Sequence, residues 1–279
     1  MKKSFFLNLM VAALAAGVAA AAQAPAPSPD HVVVPLSHPS QPATLKVSSL
    51  RGTITVRAYN GPSVIIDSAG GDHASRRPRS VPPEAQGMHR LNVNPGLTAE
   101  EDNNVVTVHT SVFSGGDLDI QVPVHTSLVL HSVNGRFIQV EGVSGDINAE
   151  DTNGSITLHN VSGSVVANAL NGRITATVAQ LDPSKPSAFS SLNGTIDVTL
   201  PADVHCNLRL KTDHGDIYMD DGFNFQAAPA PSKSGQGQRN AQGMYKVQLD
   251  RTTYGTLNGG GPEIRISNFN GNIYLRKAK

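Results

Sequence analysis

Apolar and polar residues alternate in short runs along the middle of the chain. Between residues 132 and 200 the alternation restarts after each of six glycines. A period of two places the apolar side chains on one face of a β-strand and the polar ones on the other. Each run therefore predicts one strand with a buried face. The predicted buried positions are Ile147, Ala149, Ile156, Leu158, Val165, Ala167, Ile174, Ala176, Val178, Ile196, Val198 and Leu200.

The runs belong to one repeated phrase: an apolar residue, Asn or Ser, Gly, any residue, then Ile or Val. Because Asn tolerates and Gly prefers positive φ, these dipeptides predict tight corners between strands. The apolar residue before each corner is expected to turn inward and close the layer. The glycines are Gly135, Gly145, Gly154, Gly163, Gly172 and Gly194, and the preceding apolar residues are Val133, Val143, Val161, Leu170 and Leu192.

The fixed spacing of the phrase favours an all-β, parallel β-solenoid over a series of hairpins. Asn-Gly between alternating runs is also the signal of a hairpin, so an antiparallel meander or sandwich remains the alternative. Self-similarity at a constant period is typical of solenoids and arrays. The phrase also occurs at residues 50–56, 214–219 and 269–275. We expect two strands in each turn of about 18–22 residues.

The pattern resembles a bacterial family of β-strand-repeat domains of unknown function that carry the name of adhesins. The resemblance rests on the repeated Asn-Gly-x-Ile phrase, on residues 200–202, and on the ending at residues 264–266 and 270–273. It covers roughly residues 44–278 and implies an exported, non-enzymatic protein of the cell surface or envelope. The family brings no catalytic residue to transfer.

The domain organisation follows from hydropathy and composition. Residues 1–22 have a basic start, an apolar Ala-rich run and a small-residue end, which predicts an export signal peptide. Residues 23–42 are expected to be a flexible leader with a first strand. Residues 43–279 are predicted to form a single solenoid domain with loop excursions at 69–87 and 227–243. After signal cleavage no transmembrane segment is expected, and the protein is predicted to be periplasmic, extracellular or on the cell surface.

Charge and cysteine content exclude some classes of function. Lys and Arg together number 22, as do Asp and Glu, and removal of Lys2 and Lys3 leaves a net charge of −2. This balance gives no reason to expect nucleic acid as a partner. The single cysteine, Cys206, cannot form an internal disulfide, and its alternation with Val204 and Leu208 predicts a buried core residue.

Catalytic and metal-binding patterns are weak in this sequence. There is no HExxH or CxxC motif, and no cofactor is implied. His159, His205 and His214 meet only if the fold aligns them. Residues 115–119 (GGDLD) approach the acidic corner of calcium-binding rolls. Carboxylates that a polysaccharide-active enzyme would need are available at Asp146, Glu150, Asp151, Asp197 and Asp216.

Two features are the candidate binding sites. Tyr218 and Tyr274 occupy the same place in the phrase and are expected to face outward, where Tyr is a favoured contact residue. The alternative is simple cross-strand pairing. Arg76, Arg77 and Arg79 form the only basic cluster, which suits anionic envelope polymers or a solvated loop.

The sequence therefore predicts an exported β-repeat protein without catalytic activity that binds a glycan or protein of the cell envelope. A polysaccharide-active β-helix enzyme and a structural or sensory partner of another envelope protein are the alternatives. Activity on polysaccharides would identify the first alternative, and co-purification would identify the second.

Overall fold

In a computed structural model, every regular element of the described residues is a β-strand, so the all-β prediction is confirmed. The structure describes residues 31–69, 97–110, 116–229, 238–239, 245–246 and 252–279. Within these ranges no helix has the length and apolarity needed to cross a membrane. The predicted signal peptide and most of both predicted excursions lie outside the described residues. The excursions and the export signal therefore stay predictions.

The described strands are numbered in chain order. The first seven are β1 (His31–Pro35), β2 (Ala43–Tyr59), β3 (Ser63–Ala69), β4 (Leu97–Asp102), β5 (Val105–Thr110), β6 (Asp117–Pro123) and β7 (Thr126–Glu141). The repeat region contains β8 (Ile147–Asp151), β9 (Ser155–Gly163), β10 (Val165–Ala169), β11 (Ile174–Leu181), β12 (Ser187–Asn193), β13 (Ile196–Leu200), β14 (Cys206–His214) and β15 (Ile217–Met219). The last six are β16 (Phe225–Ala228), β17 (Gln238–Arg239), β18 (Tyr245–Lys246), β19 (Thr253–Leu257), β20 (Glu263–Asn270) and β21 (Ile273–Lys277).

Nineteen of these strands form one sheet that contains two parallel ladders. In the first ladder the order is β5, β2, β7, β8, β10, β12, β20 and β14. In the second it is β6, β2, β7, β9, β11, β13, β21 and β15. The long strands β2 and β7 run through both ladders and join them. A residue in the central part of a ladder lies beside residues 18 to 22 positions away in the chain, as the repeat predicts.

The inward side chains of both ladders form one hydrophobic core. All twelve apolar positions predicted from the alternation are buried. The small residues Ala149, Ala167 and Ala176 are fully covered, which fits closely spaced layers. Cys206 belongs to the same core, as predicted, and burial raises the pKa of its thiol to about 12.

The predicted solenoid is not established, because the sheet is mixed and its order departs from the chain order. Antiparallel strands extend both ends: β4 on β5, β3 and β1 beyond β6, and β19 and β16 beyond β14. The C-terminal pair β20 and β21 lies between β12–β13 and β14–β15. Before them, β16 and β19 form an antiparallel pair, and β19 lies antiparallel to β14. Antiparallel end strands also cover edges that would otherwise be open to other chains.

The corner glycines correct one sequence expectation. Positive φ occurs at Gly163 and Gly271, with values of 116° and 134°, but Gly172 and Gly194 do not adopt it. At those two positions the reason for glycine is contact between layers. A Cβ atom on Gly172 would lie 2.0 Å from the carbonyl oxygen of Gly154, and one on Gly194 would lie 2.1 Å from that of Gly172.

Candidate functional site

The first ladder ends at a corner where the same four positions recur from strand to strand. The pairing registers place equivalent residues side by side on β7, β8, β10, β12, β20 and β14. We call these positions the outer row, the inner corner row, the rim and the asparagine row. The outer row is His131, Glu150, Asn168, Ser190, Ser267 and Lys211; the inner corner row is Ser132, Asp151, Ala169, Ser191, Asn268 and Thr212; the rim is Val133, Thr152, Leu170, Leu192, Phe269 and Asp213.

A shallow groove of about 580 Å³ runs across the strands between the outer row and the rim. Its middle is lined by the rim residues Leu170, Leu192 and Phe269, which are 46%, 41% and 43% exposed. This corrects the prediction that the apolar residue before each corner turns inward. Val143 and Val161 do so. At Leu170 and Leu192 the preceding residue takes the inward place, so alternation directs the leucine outward.

The charges of the groove lie at its two ends. At one end Nδ1 of His131 is 3.5 Å from a carboxylate oxygen of Glu150. At the other end Nζ of Lys211 is 3.4 Å from a carboxylate oxygen of Asp213. The outer row between them is uncharged: Asn168, Ser190 and Ser267. The centre of the groove therefore offers amide and hydroxyl groups along one side and apolar side chains along the other.

Outside the rim lies the asparagine row, whose side chains form a hydrogen-bonded ladder: Asn134, Asn153, Asn171, Asn193 and Asn270. Each side-chain amide donates to the next side-chain carbonyl: Asn153 to Asn134 at 2.9 Å, Asn171 to Asn153 at 3.0 Å, Asn193 to Asn171 at 2.9 Å and Asn270 to Asn193 at 2.8 Å. On β14, His214 takes the place of the asparagine, and its ring meets that of Phe269 edge-on with centroids 5.1 Å apart. The ladder fixes the spacing of the rim residues beside it.

Five of the six residues of the inner corner row are polar although they are buried, and Ala169 is the exception. Ser132, Asp151, Ser191 and Asn268 are each less than a tenth exposed. Among the described residues, Oγ of Ser132, Oδ2 of Asp151 and Oδ1 of Asn268 are buried atoms without a hydrogen-bond partner. Burial raises the pKa of the Asp151 carboxyl to about 6, against the hydrogen bonds from backbone amides and the nearby His131.

The two predicted tyrosines lie side by side on the outer face of the second ladder. Tyr218 and Tyr274 are register partners, and their rings stack with centroids 5.3 Å apart and 12° between planes. Tyr218 is half exposed. The negative charge of Asp216 raises the pKa of Tyr218. The guanidinium of Arg276 lies 5.5 Å from the ring of Tyr274. The outward orientation agrees with the prediction, while a binding role is not tested by it.

Arg276 also holds one of the candidate carboxylates in an ion pair. Its Nε donates to both carboxylate oxygens of Asp197, at 2.8 and 3.0 Å. Asp146 accepts a hydrogen bond from Nζ of Lys185 at 2.7 Å. The remaining carboxylate outside the groove, Asp216, accepts one from the hydroxyl of Tyr218 at 3.3 Å. Only Glu150 and Asp151 lie in the groove, so the structure does not gather the five predicted carboxylates.

The remaining candidates from the sequence are the arginine cluster and the metal sites. Arg76, Arg77 and Arg79 lie outside the described residues. Of the acidic corner considered for calcium, Asp117 accepts a hydrogen bond from the backbone amide of Thr53, and Asp119 pairs with Arg57 at 2.6 Å. Within the described ranges, no three His, Cys, Asp or Glu side chains lie close enough together to hold a metal ion.

Sequence reasoning does not find the groove, although the sequence carries a signal for it. Aligning the copies on their glycines places Leu170, Leu192 and Phe269 in one column and the asparagines in the next. Because an apolar residue next to a corner is usually buried at the end of the core, the sequence alone predicts that the residues of the first column are buried. The signal that separates the two kinds of corner is the residue before the glycine: the buried Val143 and Val161 precede Ser-Gly, whereas the exposed apolar residues of this column precede Asn-Gly.

Comparison with known proteins adds two structural likenesses. No model of a known protein family matches the chain, and no curated protein matches its sequence. The crystal structure of a "putative cell adhesion protein" from Clostridium sporogenes is 11% identical, with 90% of this chain and 100% of that one covered and a TM-score of 0.39. That of a "putative adhesin" from Bacteroides fragilis is 10% identical, with 90% and 99% covered and a TM-score of 0.30. Both scores are low, so neither likeness carries a conclusion.

Proposed function

We propose that this chain is an exported, non-catalytic β-repeat protein that acts as an adhesin or as a binding scaffold of the cell envelope. The proposal includes a parallel β-solenoid core, supported by the two ladders and by their constant chain separation. It also includes an envelope component, a glycan or a protein, as the partner. The observation that carries the binding role is the groove between the outer row and the rim.

The groove suits an extended and uncharged ligand. It crosses six strands, which at the usual strand spacing makes it about 24 Å long. Three exposed apolar side chains, Leu170, Leu192 and Phe269, form one side of its middle. Contiguous exposed apolar side chains rimmed by polar groups are typical of interaction sites. A neutral polymer with an apolar face and hydrogen-bonding edges, such as a glycan, meets both sides of the groove without burying a charge.

Binding of the labelled chain from residue 23 onward to whole cells, to envelope fractions and to purified neutral and anionic glycans tests the proposal. We expect saturable binding to one envelope fraction and to a neutral glycan. The double variant Leu192→Ser, Phe269→Ser should lose at least about tenfold in affinity, because it removes the apolar side of the groove. Both residues are exposed, so the fold should be retained.

The matched control is Val129→Ser, which removes an equally exposed apolar side chain outside the groove lining on the same ladder. It should leave binding unchanged. The variant Tyr218→Ser, Tyr274→Ser tests the tyrosine pair separately. Absence of binding to every fraction would contradict the proposal, and co-purification of a protein that still binds the groove variant would favour a structural or sensory role.

A further inference from the structure

The inner corner row follows a rule that connects neighbouring layers. Oγ of Ser191 donates to the carbonyl oxygen of Gly172 at 3.1 Å. Nδ2 of Asn268 donates to that of Gly194 at 2.7 Å. In the next layer, Thr212 donates to Gly271 at 2.9 Å. In these three layers the acceptor is the corner glycine of the adjacent layer, so a polar side chain at this position can join two layers, whereas Ala169 at the same position has no donor.

Asp151 occupies this position on β8, beside Ala169 of β10. Its carboxyl group has no hydrogen to donate when it is ionised. Its Oδ1 accepts a hydrogen bond from the backbone amide of Asn153 at 3.1 Å. The backbone amide of Gly154 also acts on the carboxyl group and lowers its pKa, although less than burial raises it. Oδ2 is buried without a hydrogen bond of good geometry, and the residue is 3% exposed. The corresponding corner glycine of the adjacent layer is Gly135.

The free carboxyl oxygen lies close to the carbonyl that it would have to satisfy. A Cβ atom built on Gly154 would be 2.5 Å from Oδ2 of Asp151 and 2.7 Å from the carbonyl oxygen of Gly135. Two acceptor oxygens thus share the same small space beside Gly154. An ionised carboxylate there would repel the carbonyl dipole, whereas a protonated one could donate to it.

The charged groups around Asp151 do not replace the missing proton. On the neighbouring strand β7, the titratable group that acts on Asp151 is His131. His131 is directed to Glu150, which precedes Asp151 on β8 and is about half exposed. Arg136, beyond Gly135, is exposed. On the other side, β10 presents the uncharged Asn168 and Ala169.

We propose that Asp151 is protonated in the folded protein at mildly acidic pH and then donates a hydrogen bond from its carboxyl group to the carbonyl oxygen of Gly135, which makes the corner between β7 and β8 sensitive to pH. The same donor position is filled by the amide of Asn268 and by the hydroxyl groups of Ser191 and Thr212. Ionisation would break this hydrogen bond and loosen the contact between β7 and β8. The contact lies next to His131 and Glu150, at one end of the groove. The proposal does not depend on the groove's being a binding site.

The direction of the pH dependence follows from the pKa. Burial raises the pKa of Asp151 from 3.8 to about 6, so the folded state holds this proton more tightly than the unfolded state. Stability from the protonated carboxyl is therefore complete below the ordinary carboxyl pKa and is lost as the pH rises through about 6. Above that range the corner retains an unpaired buried charge.

Thermal unfolding of the wild type and of Asp151→Asn between about pH 4 and about pH 8 tests the proposal. Asparagine supplies the amide donor that Asn268 uses. We expect the melting temperature of Asp151→Asn to exceed that of the wild type by at least about 3 °C at neutral pH, and the loss between mildly acidic and neutral pH to disappear. Glu150→Gln, which removes the adjacent half-exposed carboxylate, is the matched control and should keep that loss.

A direct titration complements the melting curves. The carboxyl ¹³C resonance of Asp151, assigned by its absence in Asp151→Asn, should titrate with a midpoint near the raised pKa. A midpoint in the ordinary range of exposed aspartates would overturn the proposal. So would an identical pH slope in Asp151→Asn, or a resonance that responds to calcium and chelator, because a bound cation would then occupy the place of the proton.

Discussion

At the scale of single residues, the corner glycines are selected by the backbone of the neighbouring layer. Glycine lets two chains approach where a side chain would separate them. At Gly172 the obstacle is the carbonyl oxygen of Gly154, a backbone atom that cannot move aside as the end of a flexible side chain can. The glycine thus fixes the distance between layers at the corner.

The first prediction concerns the variant Gly172→Ala. Its Cβ atom would lie 2.0 Å from the carbonyl oxygen of Gly154, so the two layers must separate. We expect a loss of about 3 kcal/mol in the free energy of unfolding, as for a severely overpacked core. Chemical denaturation measures this loss.

The control for crowding is Gly259→Ala. Gly259 has a φ of 89°, and a Cβ atom added to it would have no other atom within 4 Å, so alanine there is strained only by its backbone conformation. A loss of about 1 kcal/mol is expected for such strain. If both variants lost the same stability, contact between layers would not be the reason for Gly172.

At the scale of elements, the asparagine row joins the five layers from β7 to β20 with one hydrogen bond between each pair of neighbours. Asn171 lies in the middle of the row and takes part in two of these bonds, one as donor to Asn153 and one as acceptor from Asn193. Asn134, at the end, only accepts one from Asn153. Repeated amide ladders of this kind are known to stabilise stacked strands.

The second prediction compares the ends and the middle of this row. Asn171→Ala should lower the free energy of unfolding by about 1 kcal/mol, because exposed hydrogen bonds contribute little individually. Asn134→Ala should lower it by about half as much. Equal losses in denaturant titrations would mean that the asparagines act through their own corner conformation and not through the row.

Most of this element level was predictable from the sequence, because strand alternation and corner dipeptides are local signals. The buried faces of Ile147, Ile156 and Ile174 follow from the period of two alone. The exposed rim was not predictable in the same way. Whether Leu192 faces inward depends on how many residues separate the strand from its corner. Here Ser191 is the last inward residue, so Leu192 faces outward.

At the scale of the whole molecule, the order of the strands depends on long-range pairing that no repeat encodes. The last copy of the phrase, at β20 and β21, has the same local pattern as the others. It pairs with β12–β13 on one side and with β14–β15 on the other. The period of the sequence determines the strands and corners of each layer. It does not determine the order in which similar layers pair in the sheet.

The third prediction follows from this inserted layer. Truncation after Pro262 removes β20 and β21 and should abolish the cooperative unfolding transition of the C-terminal strands. Phe189, Val198 and Leu208 would lose the neighbours Ile266, Leu275 and Ile264, with which they pair. A terminal repeat of a simple array, by contrast, can be removed with loss of only one interface.

The decisive measurement is hydrogen exchange of β12 to β15 in the truncated chain, with and without a synthetic peptide of residues 263–279. We expect rapid exchange at β14 and β15 without the peptide, and protection restored when the peptide fills the open place between the layers. Truncation of Lys279 alone serves as the control, since the backbone amide of Ala278 still donates to Leu200 at 2.8 Å. Unchanged protection of β14 and β15 after the larger truncation would mean that these strands pair directly with β12 and β13, and that the C-terminal layer is dispensable for the order of the sheet.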